Sequence, residues 1–117
     1  MRRTFFTIAA LVAVFTAGCD WESLPDSGAA GHVSDESLAR LRDCESGGNY
    51  GAVSRSGAYR GAYQFSKSTW DAVAQSWAPW LVGIDPATAT PVEQDNMASA
   101  LFAEQGRSPW PHCGSKL

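Results

Sequence analysis

The sequence predicts a small α+β domain, mainly helical, with about three helices, a short hairpin-like excursion and one disulfide. Helix-start chemistry recurs at Ser34 and Thr90, each just ahead of apolar residues at helical spacing. Between these starts, Tyr50 to Tyr63 alternates small, polar and aromatic residues in a way no helix tolerates. Cys44 and Cys113 stand near the two ends of this region, where a single bridge could close it.

The chain opens with Met1-Arg2-Arg3 and an apolar run from Phe5 to Phe15. That is the length of a secretory signal and shorter than the ~20 apolar residues of a membrane-spanning helix. Thr16-Ala17-Gly18-Cys19 follows and resembles the lipobox of bacterial lipoproteins, with Thr16 where leucine is usual. Residues 1–18 are therefore expected to be a signal peptide and Cys19 to be acylated. The alternative is an ordinary signal cleaved near Ala17 or Gly18, leaving Cys19 free. Residues 19–33 would form a flexible tether, since Asp20 to His32 offers only Trp21 and Leu24 as bulky apolar groups. Residues 34–117 remain as one folded domain.

Ser34 is a good N-cap, and Asp35 and Glu36 favour the positive end of a helix dipole. Leu38 and Leu41 share a face, with Cys44 on nearly the same side. Gly47-Gly48-Asn49 should stop this helix near Ser46. A second helix is expected from Ser66 or Ser68 to about Ser76, with Trp70, Val73, Ala74 and Trp77 along one stripe. Pro79, Gly83 and Pro86 then break the chain into loop. The third start is the clearest: Thr90 as cap, Pro91 at the first helical position, and Glu93 completing a capping box. Met97, Ala100 and Leu101 supply its core face, and Gly106 ends it. The tail from Ser108 to Cys113 is too rich in proline for regular structure.

The chain has three cysteines, an odd number for a protein that reads as exported. If Cys19 carries lipid, Cys44 and Cys113 remain as a pair in an oxidising compartment. The closed loop would hold roughly 70 residues, for which chain entropy gives stabilisation of ~4 kcal/mol. The competing reading is two reduced, buried thiols.

The net charge is −3, and no basic cluster survives removal of the signal, so nucleic acid is not expected as a partner. There is no glycine-rich phosphate loop with its lysine, no HExxH and no zinc spacing of Cys and His. His32 and His112 are far apart and read as surface residues. Neither a metal nor an organic cofactor is expected.

The residues that carry chemistry lie in Cys44-Glu45-Ser46-Gly47-Gly48-Asn49-Tyr50 and Gly61-Ala62-Tyr63-Gln64-Phe65-Ser66-Lys67-Ser68-Thr69-Trp70. They set one acid at a glycine-rich turn beside aromatic rings and neutral hydrogen-bonding groups. Sugar chemistry uses this mixture: an acid to protonate a glycosidic oxygen, ring faces for the sugars, and amides and hydroxyls for their substituents. Taken alone, a glutamate beside two glycines is more often a solvated turn residue. Emerging from a helix C-terminus, Glu45 faces the negative end of the dipole, which disfavours ionisation and raises its pKa.

These blocks, with Gln105-Gly106 through Trp110-Pro111-His112-Cys113, resemble the resuscitation-promoting-factor type of transglycosylase-like domain. That is a small lysozyme-like fold of high-GC Gram-positive bacteria, and the resemblance covers Leu38 to Leu117. It implies cleavage of the β-1,4 bond between N-acetylmuramic acid and N-acetylglucosamine in peptidoglycan. It matches Glu45 to the single catalytic glutamate, Thr69 and Gln105 to positions that hydrogen-bond the glycan, and Cys44 with Cys113 to the family disulfide. Tyr63, Gln64 and Trp70 fall in the motif that lines the cleft, with packing as the alternative for each and the favoured role for Trp70, given its helical stripe. The implied partners are glycan strands and, as a candidate, a wall endopeptidase. The membrane is met only through the lipid, and a monomer is expected. The place is the outer face of the membrane or the cell wall. The chain departs from the family at Tyr50, often Trp, at Gly61-Ala62, often two glycines, and at Arg107-Ser108, where an aromatic residue is common. These departures leave the acid in place and bear on subsite affinity.

Glycosidases ordinarily use two carboxylates. Near the motifs, only Asp43 and Asp71 could serve as the second: Asp43 points away from Glu45's side, and the direction of Asp71 is not fixed by the sequence. A one-carboxylate lytic mechanism ending in a 1,6-anhydro sugar is expected. The other readings are a peptidoglycan-binding module that does not cut, and a signalling or scaffold lipoprotein.

Overall fold

A computed structural model describes residues 33–117; the expected signal, Cys19 and all of the tether except Val33 lie outside the described residues. Helix α1 spans Asp35–Ser46, α2 Lys67–Trp77 and α3 Pro91–Gln105, with strands β1 (Tyr59–Arg60) and β2 (Phe65–Ser66) between α1 and α2. Short 3₁₀ turns occupy Pro79–Leu81, Pro86–Thr88 and Gly114–Lys116. This is the small α+β domain the sequence predicts, with its disulfide between Cys44 and Cys113.

Local chemistry sets the helix starts. Ser34 accepts a hydrogen bond from the amide of Ser37, Ser66 accepts one from Thr69, and Thr90 and Glu93 form a reciprocal capping box. Val33, the last residue assigned to the tether, joins Leu38 in the buried cluster, which is the arrangement of a hydrophobic staple. Helix α1 ends where Gly47 turns left-handed at φ 65°, and the Gly47 and Gly48 amides bond back to Asp43 and Arg42.

The hairpin lies later than expected. Tyr59 pairs with Ser66 and Arg60 with Phe65, so the turn is Gly61–Gln64, and residues 50–58 contribute only an isolated bridge from Val53 to Arg60. The turn is held by an unlikely-looking post on α3. Gln94, 1% exposed, accepts from the Ala62 amide at 2.9 Å and donates to the carbonyls of Tyr50 and Ala89 at 3.0 and 2.9 Å. One amide side chain thus satisfies backbone groups of three separate segments. Gly61 must be glycine beside it: its φ is +82°, and a Cβ there would sit 2.5 Å from the Gln94 Oε1.

The core is Leu38 and Leu41 of α1, Tyr63 and Phe65 of the hairpin, Trp70 and Val73 of α2, Met97 and Leu101 of α3, and Trp110 of the tail. Helix α2 packs on α3, and α1 packs on the C-terminal turn. Trp77 departs from its expected place on the α2 stripe. It is the last residue of the helix and 55% exposed, its indole donating to Glu104 at 2.6 Å. Cys44 also lies on the exposed side of α1, whereas Cys113 is buried.

Candidate active site

Glu45 occupies the last turn of α1 and is half-buried at the wall of a cleft of about 600 Å³. The hairpin contributes Tyr59 and Gln64 to this cleft, and the C-terminal segment contributes Ser108, Pro109, Trp110, Pro111 and His112. Three contacts bring these parts together. The Ser46 hydroxyl, next to Glu45, bonds to the Ala62 carbonyl at 2.8 Å. The Trp110 indole donates to the Tyr63 carbonyl at 3.1 Å. The disulfide ties the residue before Glu45 to the residue after His112, with the Cα atoms 5.8 Å apart.

Gln64 has a positive φ of 53°, unusual for a residue with a side chain, and its amide donates to the Gly61 carbonyl at 2.9 Å. This conformation turns the Gln64 side chain onto the cleft wall. Burial raises the Glu45 carboxyl above its ordinary pKa, and the nearby charge of His112 partly opposes the rise. The sequence expectation had the direction right but placed the cause at the helix end. The main cause is desolvation.

Among the described residues, Glu45 is the one carboxylate lining the cleft. Asp43 is exposed, and Asp71 turns to a loop, where it accepts from the Gly83 amide at 2.8 Å. Tyr63 and Trp70, expected in the cleft, are fully buried and offer no face to a sugar. Tyr63 turns its ring inward from the hairpin turn, and Trp70 packs edge-on against Phe65, its indole bonded to the Leu81 carbonyl at 3.0 Å. Thr69 and Gln105 do not line the cleft. Thr69 accepts from the Ser66 hydroxyl at 2.9 Å, while the Gln105 carbonyl accepts from Ser108, which does line it. The sequence reading missed Tyr59 and His112. Tyr59 carried a weak signal as an aromatic in turn sequence, and His112 carried one only through its neighbour Cys113.

A family model described as a transglycosylase-like domain matches residues 32–113 and so takes in all of the motif blocks above. The chain belongs to this family. Over 89 residues the domain is 37% identical to a resuscitation-promoting factor, Rpf1, of Corynebacterium glutamicum, covering 75% of this chain and 43% of that protein. A resuscitation-promoting factor of Mycobacterium tuberculosis, RpfC, is 40% identical over 75 residues, 64% of this chain and 48% of the relative. The probable transglycosylase SceD of Staphylococcus aureus is 37% identical over 89 residues, 76% of this chain and 37% of the relative. The chain thus spans less than half the length of these curated relatives.

Proposed function

We propose that this domain cuts the glycan strands of peptidoglycan at the β-1,4 bond between N-acetylmuramic acid and N-acetylglucosamine, as a lytic transglycosylase with Glu45 as its sole catalytic carboxylate. The observation that carries the reading is Glu45 itself: a half-buried acid with a raised pKa, and the one carboxylate among the described lining residues of the cleft. The named relatives support the substrate class.

In this mechanism the Glu45 carboxyl gives its proton to the glycosidic oxygen as the C1–O bond breaks, releasing the N-acetylglucosamine side as an alcohol. The acetamido oxygen of the muramic sugar shields the positive charge at C1. The Glu45 carboxylate then takes the proton of the 6-hydroxyl, whose oxygen bonds to C1 and closes the 1,6-anhydro ring. Glu45 ends protonated, ready for another cycle. Tyr59, Gln64 and Ser108 are the groups we assign to holding the sugars nearest the acid, with Thr69 and Gln105 reaching sugars further along the strand. Mass spectrometry of muropeptides released from purified peptidoglycan tests the reading. Anhydro ends are expected; ordinary reducing ends would replace the transglycosylase by a hydrolase, and no release would defeat both.

A pH profile gives a second check. Because burial raises Glu45, the folded state favours the protonated acid, and activity should fall as pH rises through the folded value. His112 opposes the rise, so His112→Gln should move the alkaline limb of kcat to higher pH. A limb that stays put or moves down would separate His112 from the acid.

We also place the domain outside the cell, held by lipid on Cys19 or released to the wall. A fatty-acid probe should label the wild type and not Cys19→Ala; equal release of both into the medium would end the lipid proposal.

A further inference from the structure

We propose that Asp95 is a positioning residue for Glu45, acting through Arg42, Tyr50 and Tyr63. The proposal rests on the reading of Glu45 as the acid of a glycan-cleaving site. Asp95 lies in the first half of α3 and does not line the cleft. Its Oδ1 accepts from the Tyr63 hydroxyl at 2.6 Å, the Tyr50 hydroxyl at 2.9 Å and the Arg42 guanidinium at 3.2 Å. Arg42 also donates to the Tyr63 hydroxyl at 2.9 Å and sits over the rings of Tyr50 and Tyr63, 5.5 and 5.9 Å from their centres. The proton arithmetic closes: Tyr63 gives its one proton to Asp95 and takes one from Arg42. Burial, and then the bond to Asp95, push the hydroxyls of Tyr50 and Tyr63 above their usual pKa, which keeps both as donors.

Stability alone is a poor reason for this cluster. Arg42 and Asp95 are part-buried, so their pairing gains little beyond the cost of drawing both charges partly out of water. What the cluster supplies is geometry. Arg42 is where α1 closes, for its carbonyl accepts from the Gly48 amide at 3.1 Å and from the Ser46 hydroxyl at 3.2 Å. Glu45 stands inside that closing turn. Tyr63 is the neighbour of Gln64 in the cleft wall, and its carbonyl holds the Trp110 indole. Asp95 therefore grips the last turn of α1 by Arg42 and the opposing hairpin turn by Tyr63. It fixes the distance of the acid from the wall across the cleft. Its neighbour Gln94 secures the same turn through a backbone amide, and Ser46 and Arg42 reach it directly from α1; Asp95 adds the acceptor that holds Arg42 and Tyr63 together.

The test compares Asp95→Asn, which keeps an acceptor oxygen without the charge, with Asp95→Leu, which keeps the branched outline of the side chain and removes the acceptor of Arg42, Tyr50 and Tyr63. Soluble glycan strands stripped of peptide serve as substrate. In folded variants kcat should fall by about tenfold or more, since small misplacements of a catalytic group are that costly. KM should stay within about threefold, as the loss lies in the transition state. Hydrogen exchange should quicken at the amides of Gly48, Asn49 and Gln64 while Val73 and Leu101 keep their protection. A folded Asp95→Leu with wild-type kcat, or exchange that quickens uniformly across α2 and α3, would overturn the proposal. If the wild type cuts no glycan, it is the functional reading that fails, and the exchange pattern alone then decides for or against Asp95 as the clamp on Glu45's turn.

Discussion

Replacing Glu45 by Gln is expected to lower glycan cleavage by at least the ~10²–10⁴-fold typical of a lost general acid, with the fold intact. The amide is nearly isosteric, so the walls of the cleft should not move. What disappears is the only proton donor among the described lining residues that is also a carboxylate. Folding should not suffer. A carboxyl whose pKa is raised by burial stabilises the fold most below its unfolded pKa, and that contribution is lost as pH rises through the folded value. At neutral pH the amide is spared the cost of a half-buried charge, so the melting temperature should hold or rise slightly. The controls are Asp43→Asn, an exposed site, and Asp71→Asn, which weakens only the bond to the Gly83 amide. Both should retain most activity. If Asp71→Asn proves as damaging as Glu45→Gln in a folded protein, a second acid is at work and the one-carboxylate mechanism is wrong. If Glu45→Gln leaves cleavage untouched, the catalytic acid lies elsewhere; if wild type and variant bind glycan alike and neither cuts, the domain is a binding module.

The parts of the fold that depend on neighbouring residues were legible in the sequence. Ser34, Ser66 and Thr90 cap helices because a hydroxyl meets an amide three residues on, and Gly47 and Gly106 end helices by adopting positive φ. Glu45 was legible for a similar reason, as its motif is contiguous. The errors fall where distant segments meet. Tyr63 sits in a turn between glycine and glutamine, a window that suggests exposure. Its burial is decided by Arg42 and Asp95, themselves 53 positions apart. Trp77 fits the α2 stripe by period, but it is the final residue of the helix and stands out into solvent beside Glu104. His112 looks like an ordinary surface residue until Cys113 is bonded to Cys44, which carries it to the acid. The departure at Tyr50 had no evident purpose in sequence; in the fold its hydroxyl is one of three donors to Asp95.

Removing the bridge, as Cys44→Ala with Cys113→Ala, is expected to destabilise the domain by roughly 2–5 kcal/mol. The cysteines are 69 positions apart, so the bridge removes much of the freedom of the unfolded chain, and the chain-entropy model gives ~4 kcal/mol. A single small domain is stable by only ~5–15 kcal/mol, and one whose sheet has two residues per strand has little else to spare. Urea unfolding of both forms measures the difference, and a larger m-value in the variant would mark the expected expansion of the unfolded state. The tail has other fastenings: Arg40 donates to the Lys116 carbonyl at 3.1 Å, Arg107 to that of Leu117 at 2.7 Å, and the Gly114 amide to that of Trp110 at 2.7 Å. The variant should therefore still fold at low temperature. This permits a separation of roles. Assayed well below its melting temperature, the variant should lose turnover in excess of its unfolded fraction, because Glu45 and His112 are each one residue from the lost bond. Turnover that merely tracks the folded fraction would make the disulfide a stabilising staple with no part in shaping the site. An unfolding free energy within ~0.5 kcal/mol of wild type would remove even that role.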